Sequence, residues 1–416
     1  MLRLVVSSLF AGMLVLLSSV AGAATAKEQT PLRIAVIDPF SGSMAGVGMP
    51  SLKQMQFDAA RINEQGGING HPIQIIPFDN KLDPRESLVQ LQKAVSQDIR
   101  YVAQMAGDAV ASSLINAVDK HNQRNPDNAV LYLNYGANGP EFTNNRCSFW
   151  HFLFDANTEM KMKILTDWVT KQKDIHKVYI MNPDYSYGHE VSEYARNMLK
   201  EKRPDIKVVG DVFVPTGKVK DFSPYVSQIK LSGADAVITG NWGQDMILLI
   251  KSASTYGLKI PFITLYANSP GTANALGDKG VDEVYLVSLW SGDLDNPEII
   301  KRQATMKKET GYDYLDLRAT AMLDMLKEAA EKAGSIDPEQ VAFALEGLKY
   351  DSLTGPAVMR AEDHQILVPV FISTFKDGMK YGLDDTKDLN FKTIDQFSAE
   401  QTAMSTTCHM RRPTTK

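Results

Sequence analysis

The sequence predicts an α/β protein of two lobes, each a mostly parallel sheet flanked by helices. Three observations carry that prediction. Apolar runs of strand length alternate with stretches of helical periodicity from residue 32 onward. The apolar runs are continuous, as in 32–37, where Arg33 is the one polar residue, and this is the pattern of strands buried on both faces. The alternation restarts near Asn157, so it describes two successive blocks.

In the first block the strand at 32–37 runs into a glycine-rich loop, 41–48. Met55, Ala59 and Ile62 then fall at helical spacing, and Gly66-Gly67 stops that helix. Residues 73–78 form the next strand. Asp83 is placed to cap the following helix, with Pro84 in its first turn and Glu86 able to return a capping-box bond. Leu88, Leu91 and Val95 supply its buried stripe. Strands are predicted at 101–105 and 129–133, with a helix over 111–121 between them. In the second block, 157–171 reads as a helix with Met160, Ile164 and Trp168 on one face. Strands are predicted at 178–181, 208–214, 236–239 and 262–265. Val191, Tyr194 and Met198 mark one helix, and 225–231 and 246–256 are two more. Residues 315–333 form a long amphipathic helix, and Pro338 starts another. Residues 368–375 with the Asp377-Gly378 turn predict a late hairpin, and the last dozen residues are polar and expected to be mobile unless Cys408 pins them.

The chain has 416 residues, 44% hydrophobic and 22% charged, which excludes a largely disordered protein. Lys plus Arg number 44 against 49 Asp plus Glu, a net charge of −5 that argues against a nucleic-acid partner. Residues 1–26 read as a secretory signal peptide: a short basic start at Arg3, an apolar run over 4–20, and small residues over 21–26 suited to cleavage. A membrane anchor is the competing reading, and the run is short for one. No Cys follows it to carry a lipid, and no later segment has the ~20 apolar residues of a spanning helix. The expected product is an exported, soluble protein of the periplasm. The two cysteines, Cys147 and Cys408, exclude a disulfide-dense scaffold and a multi-cysteine metal site. Export favours a disulfide, with a buried free thiol and an intermolecular bond as alternatives.

Catalytic signatures are mostly absent. His189-Glu190-Val191-Ser192-Glu193 lacks the second His of a zincin helix, so no metal is expected. Thr216-Gly217-Lys218 has Val212 and Val219 where a phosphate loop needs Gly and Ser or Thr. No Gly-x-Gly-x-x-Gly or Gly-x-Ser-x-Gly occurs, and the seven His are scattered. No cofactor is expected. The loops, in contrast, suit a small ligand, because open α/β sheets bind beyond the carboxyl ends of their strands. Loops 41–48, 107–112, 135–139, 184–188, 240–244 and 265–269 offer glycine N–H groups, the Ser112 hydroxyl, the Asn138 amide, and the aromatic rings of Tyr187, Trp242 and Tyr266. Backbone donors at a helix N-terminus favour a carboxylate. The competing reading is that the glycines serve tight turns and the aromatics fill cores.

The run 60–73, ARINEQGGINGHPI, resembles the signature of the periplasmic branched-chain amino-acid-binding proteins, the type I substrate-binding proteins of ABC importers. Residues 79–84, DNKLDP, are similar to that family's acidic loop. Residues 136–143, GANGPEFT, resemble its fourth-strand loop, and 184–188, DYSYG, its second-lobe tyrosine motif. Residues 353–356, LTGP, followed by 371–378, resemble its closing hairpin. The resemblance covers nearly the whole chain after the signal peptide. It implies a clamshell with three hinge crossings: an N-terminal lobe of 27–153 plus 288–358, a C-terminal lobe of 154–287 plus 359–390, and a tail of 391–416. It implies a monomer that traps a small ligand and docks on an inner-membrane permease with its ATPase subunits. By the same resemblance a ligand carboxylate sits near Ala111, Ser112, Gly136 and Asn138, with Tyr187 over the ligand and Trp242 beside it. Cys147 is expected to pair with Cys408.

Two positions depart from the family. Tyr266 stands where an acidic residue would meet a ligand ammonium, and Ala111 stands where a serine hydroxyl is expected, with Ser112 adjacent. A buried ammonium without a carboxylate partner costs on the order of several kcal/mol. Asp245 or Glu190 are candidate substitutes that helix periodicity does not place in the cleft. The expected ligand is therefore an aromatic or otherwise hydrophobic carboxylic acid, with a branched-chain or other apolar amino acid as the alternative. A non-catalytic transport receptor is favoured over an exported α/β hydrolase, and a sensor that presents its ligand to a membrane partner is a third possibility on the same fold.

Overall fold

The computed structural model describes residues 29–294, 296–313 and 317–413. The expected signal peptide, 1–26, lies outside the described residues, as does the start of the helix expected over 315–333. In the first lobe, β1 (Leu32–Asp38), α1 (Ala45–Glu64), β2 (Ile73–Asp79), α2 (Pro84–Ser96), β3 (Tyr101–Gln104), α3 (Asp108–Arg124), β4 (Leu131–Asn134) and β5 (His151–Leu153) alternate along the chain. Their strands form one parallel sheet in the order β2-β1-β3-β4-β5.

The second lobe repeats the plan with α4 (Thr158–Val169), β6 (Lys177–Pro183), α5 (Ser186–Lys202), β7 (Lys207–Val214), α6 (Ser223–Ser232), β8 (Ala236–Thr239), α7 (Gly243–Thr255), β9 (Phe262–Thr264), α8 (Thr272–Leu276) and β10 (Val284–Ser288). Five of its strands run parallel in the order β7-β6-β8-β9-β10, the same second-first-third-fourth-fifth arrangement as the first lobe. Right-handed crossovers leave few other solutions for strand–helix alternation. The chain then returns to the first lobe through α9 (Pro297–Thr310), α10 (Arg318–Ala333) and α11 (Pro338–Leu345), of which α9 and α10 pack on α1. A small antiparallel sheet follows, formed by β11 (Lys349–Ser352), β12 (Gly355–Met359) and β13 (Ile366–Leu367). Finally β14 (Val370–Lys376) extends the second sheet antiparallel to β10, β15 (Asn390–Phe397) adds to its edge antiparallel to β14, and α12 (Ala399–Thr402) follows.

Local chemistry explains the element starts. The Asp83 carboxylate accepts from the N–H groups of Arg85 and Glu86, both at 2.8 Å, with Pro84 at the first helical position of α2. The expected capping box does not close, because the Glu86 side chain instead accepts from Gln90 Nε2. The strands nearest the middle of each sheet are apolar on both faces: β3, β4, β8 and β9 are buried at every residue.

Three expectations are corrected. The late hairpin has no tight Asp377-Gly378 connection, since β14 pairs with β15 and 13 residues, 377–389, lie between them. Residues 391–416 are not a free tail. Residues 391–397 are sheet, with a period-two burial that follows one face of the pleat. The chain beyond α12 crosses back to the first lobe, where Thr406 Oγ1 donates to the Thr143 carbonyl at 2.7 Å and Cys408 is disulfide-bonded to Cys147. Residues 359–367 belong with the first lobe, because β13 pairs with β12 and Gln365 bridges Leu153.

The disulfide joins positions 261 residues apart. Closing so long a loop removes unfolded-state entropy worth about 5 kcal/mol in a chain-entropy account. The double variant C147S/C408S is expected to unfold at lower urea with a stability loss approaching that value, measured by equilibrium denaturation.

Candidate functional site

Each sheet reverses its strand order at its first strand: β1 lies between β2 and β3, and β6 between β7 and β8. A reversal splays the loops on either side and leaves a crevice at the carboxyl ends. The two crevices face each other across one cleft of about 880 Å³, counted with the solvent space at its mouth. That volume suits a small organic ligand.

The first-lobe wall hangs on Asp38, the last residue of β1. Its carboxylate accepts from the Met105 N–H at 3.0 Å, the Ala106 N–H at 2.9 Å and the Tyr135 hydroxyl at 2.7 Å. Burial pushes the Asp38 carboxyl up to about 6, against the pull of these three donors. Asn134 closes β4 in a similar way, its Oδ1 accepting from the Gly136 and Ala137 N–H groups at 3.1 and 2.9 Å. In the first turn of α3, Asp108 accepts from the backbone of Asn138 and Gly139, and burial followed by the nearby Glu141 pushes its carboxyl up to about 7. Of the loop donors expected to hold a ligand carboxylate, the N–H groups of Gly136 and Ala137 are already taken by the chain's own Asn134, while the first turn of α3 carries no side-chain cap.

Gly136 and Asn138 line the cleft, but Ala111 and Ser112 do not. The helix starts at Asp108, a turn earlier than expected, so Asp108 takes the position at the mouth. Ala111 faces the core and is fully buried, and Ser112 Oγ accepts from Arg146 at 2.5 Å. An acidic residue directly after Gly107 is a helix-start signal that points to Asp108.

The second-lobe wall is aromatic. Tyr187 sits in the first turn of α5 and Trp242 directly precedes α7. Trp242 Nε1 donates to Tyr185 Oη at 3.0 Å, which brings a tyrosine the sequence reading passed over into the wall. The first turn of α5 requires Gly188, since a Cβ there would meet the Pro183 carbonyl oxygen at 1.8 Å. The rings of Tyr185 and Tyr187 lie 5.7 Å apart, and those of Tyr187 and Tyr266 6.0 Å apart, both pairs tilted. Tyr187 Oη is buried with no hydrogen-bond partner.

Tyr266 spans the lobes. Its hydroxyl accepts from Asn138 Nδ2 at 2.7 Å and from Lys161 Nζ at 3.2 Å. Lys161 in turn donates to Asp155 Oδ2 at 2.8 Å, and Arg318 Nη1 donates to the same oxygen at 2.7 Å. Both cations also lie over the Tyr266 ring, at 4.9 and 6.0 Å from its centre. Arg318, at the start of α10, lines the cleft, and no sequence motif marked it. Asp245 and Glu190, the expected substitutes for the missing acid, do not line it. Asp245 Oδ2 instead accepts from the Gly217 N–H at 2.7 Å. Among the described residues no group of three or more His, Cys, Asp or Glu is placed to hold a metal ion, and no helix is long and apolar enough to cross a membrane.

A family model described as periplasmic binding protein matches residues 31–380. The chain is 32% identical over 413 residues to Leu/Ile/Val-binding protein homolog 4 of Brucella abortus (strain 2308), covering 95% of this chain and 96% of that protein. Its structure is similar to the closed leucine-, isoleucine-, valine-, threonine- and alanine-binding protein of Brucella ovis, with a TM-score of 0.82 and 29% identity over 92% of this chain and 100% of that one. A solute-binding protein of Rhodopseudomonas palustris BisB5 in complex with 3,4-dihydroxybenzoic acid shares the fold, with a TM-score of 0.75 and 20% identity over 89% and 98% of the two chains.

Removing the Asp38 carboxylate leaves two buried N–H groups and a buried hydroxyl without an acceptor. Asp38→Ala is expected to cost about 3 kcal/mol, as the loss of a buried acceptor shared by several donors, read from the urea midpoint.

Proposed function

We infer the function from one premise: the chain belongs to the periplasmic binding protein family, whose model matches residues 31–380. It is a non-catalytic receptor that works in the periplasm after its signal peptide is removed. Its lobes close over a small ligand, and the closed form is presented to the permease of an ABC importer driven by ATPase subunits. The ligand is a carboxylic acid with an aromatic or hydrophobic body. One observation carries this reading: the aromatic wall of Tyr185, Tyr187, Trp242 and Tyr266 contains a buried hydroxyl, Tyr187 Oη, that has no partner. Tilted rings favour an apolar or aromatic body. A buried donor without an acceptor is costly, and a ligand oxygen relieves that cost. Arg318 lines the same cleft, and guanidinium groups suit carboxylates.

A second observation favours a different ligand. Asp108 lines the cleft, is 3% exposed, and its Oδ2 has no hydrogen-bond partner. An ammonium placed there would pair with it, which supports an apolar amino acid. The names of the Brucella relatives point the same way.

The two readings differ in the sign of their pH dependence. Burial and the nearby Glu141 push the Asp108 carboxyl up to about 7. Its ionisation repels a bound carboxylate that has no ammonium and attracts an ammonium. Thermal-shift titration with benzoate, 4-hydroxybenzoate, leucine and valine separates them. A ligand at a hundred times its dissociation constant adds about 2.7 kcal/mol. The expected result is stabilisation by the benzoates that weakens from pH 6 to pH 8, with roughly tenfold weaker binding in Tyr187→Phe, about the worth of one hydrogen bond. Stabilisation by leucine alone, strengthening over the same range, would establish the amino-acid reading instead.

A further inference from the structure

A second, smaller chamber adjoins the ligand cleft, about 300 Å³ counted with the solvent space at its mouth. Tyr266, Asn268 and Arg318 line both spaces, so the two meet along these residues. The chamber sits where the chain passes twice between the lobes. Asp155, on its wall, lies between β5 of the first lobe and α4 of the second. Trp290, also on its wall, lies between β10 of the second lobe and α9, which packs on α1 of the first.

Each of these two residues brings a polar atom that nothing in the protein satisfies. Asp155 is fully buried and ion-paired through Oδ2 to Lys161 and Arg318, while its Oδ1 has no hydrogen-bond partner. Trp290 is 2% exposed, and its Nε1 has no partner either. Buried polar groups left unpaired are costly. The two needs are opposite, since an indole N–H only donates and an ionised carboxylate only accepts. A carboxylate in the chamber would satisfy Trp290 but face Asp155 with like charge. An ammonium would satisfy Asp155 but leave Trp290 unpaired, beside the two cations on the same wall. A hydroxyl satisfies both, because its oxygen accepts and its proton donates. The hydroxyl already on the wall, Ser288 Oγ, donates to the Trp290 carbonyl instead.

We propose that this chamber is a subsite for one uncharged hydroxyl group, supplied by the ligand, so that the receptor favours the hydroxylated member of the ligand class it takes. Water is the other source of the same chemistry. The hydroxyl site depends on the chamber alone, and its link to ligand choice rests on the receptor reading above. A hydroxyl bonded to Trp290 and Asp155 bridges the two passages of the chain between the lobes. It therefore favours the closed arrangement in a way that an unsubstituted ligand does not.

Calorimetric titration with two pairs of probes, 4-hydroxybenzoate with benzoate and tyrosine with phenylalanine, tests the choice of ligand. It is run on the wild type and on Trp290→Phe, which keeps an aromatic ring and removes the N–H. In the pair that binds, the hydroxylated member is expected to bind about tenfold tighter, the worth of one hydrogen bond, and that ratio is expected to fall to about one in Trp290→Phe. A ratio within a pair is independent of any stability the variant loses. The ligand-free chain, labelled with ¹⁵N at its four tryptophans, supplies a second reading by NMR. The Trp290 indole N–H is expected to show a cross-peak to bound water that disappears when the hydroxylated probe binds. Equal affinities within the pair, with the cross-peak kept in the complex, would make water the occupant and overturn the selection of hydroxylated ligands. Equal affinities and no cross-peak would overturn the site itself. If none of the probes binds, the ligand reading above fails, and the cross-peak alone decides the site: its presence upholds a hydroxyl site and its absence overturns it.

Discussion

The carboxylate of Asp38 is the point from which the binding half of the first lobe is suspended. It ends β1 at the place where the strand order reverses, and it takes donors from the loop after β3 and from a tyrosine after β4. Three loops that would otherwise diverge are held to one buried anion. Its three donors offset part of the cost of burying that charge, and burial still pushes its carboxyl up to about 6. The second lobe organises its wall differently, through aromatic packing and the Trp242–Tyr185 hydrogen bond. One wall is thus set by polar fixation and the other by ring contacts.

This division shapes the chemistry of the cleft. Four backbone donors of the first-lobe wall, those of Met105, Ala106, Gly136 and Ala137, are engaged by the chain's own Asp38 and Asn134. The first turns of α3, α5 and α7, which carry no side-chain cap, and side chains with capacity left over remain for a ligand. Tyr187 has an unpartnered hydroxyl and Asp108 an unpartnered carboxylate oxygen, from opposite lobes. Between them the Asp155 carboxylate joins Lys161 and Arg318, and Lys161 passes a hydrogen bond to Tyr266. Tyr266 therefore does not leave a hole where a charge was expected. It is the junction through which the first-lobe Asn138 meets the network of Lys161, Asp155 and Arg318.

Asp108 stands where the cleft meets the 140–143 turn. Its carboxyl lines the ligand space, and the charge of Glu141 acts on it. Glu141 lies on the segment that the Cys147–Cys408 disulfide fastens to the returning C-terminal chain, since the Asn144 and Arg146 N–H groups both donate to its carbonyl. Charge, loop position and chain crossing are coupled in one corner of the molecule.

Much of the architecture was legible in the sequence because buried parallel strands and amphipathic helices write their periods directly into residue order. Continuous apolar runs located β1 to β4, β6, β8 and β9, and Asp83-Pro84 marked the start of α2. Short strands such as β5, β11 and β13 span too few residues to show a period, and β15 alternates weakly among polar residues. Of the residues singled out as ligand contacts, Gly136, Asn138, Tyr187, Trp242 and Tyr266 come to one cleft, because loops after successive parallel strands must emerge at the same edge. Ala111 and Ser112 fall away because a helix begun one turn earlier rotates them off the mouth. Only the tertiary structure decided which donors were already spent, which cations share Asp155, and that Asp108 takes the position at the mouth of the cleft. Those facts depend on distances between residues far apart in the chain, and on burial that changes what a carboxyl group holds, neither of which residue order encodes locally.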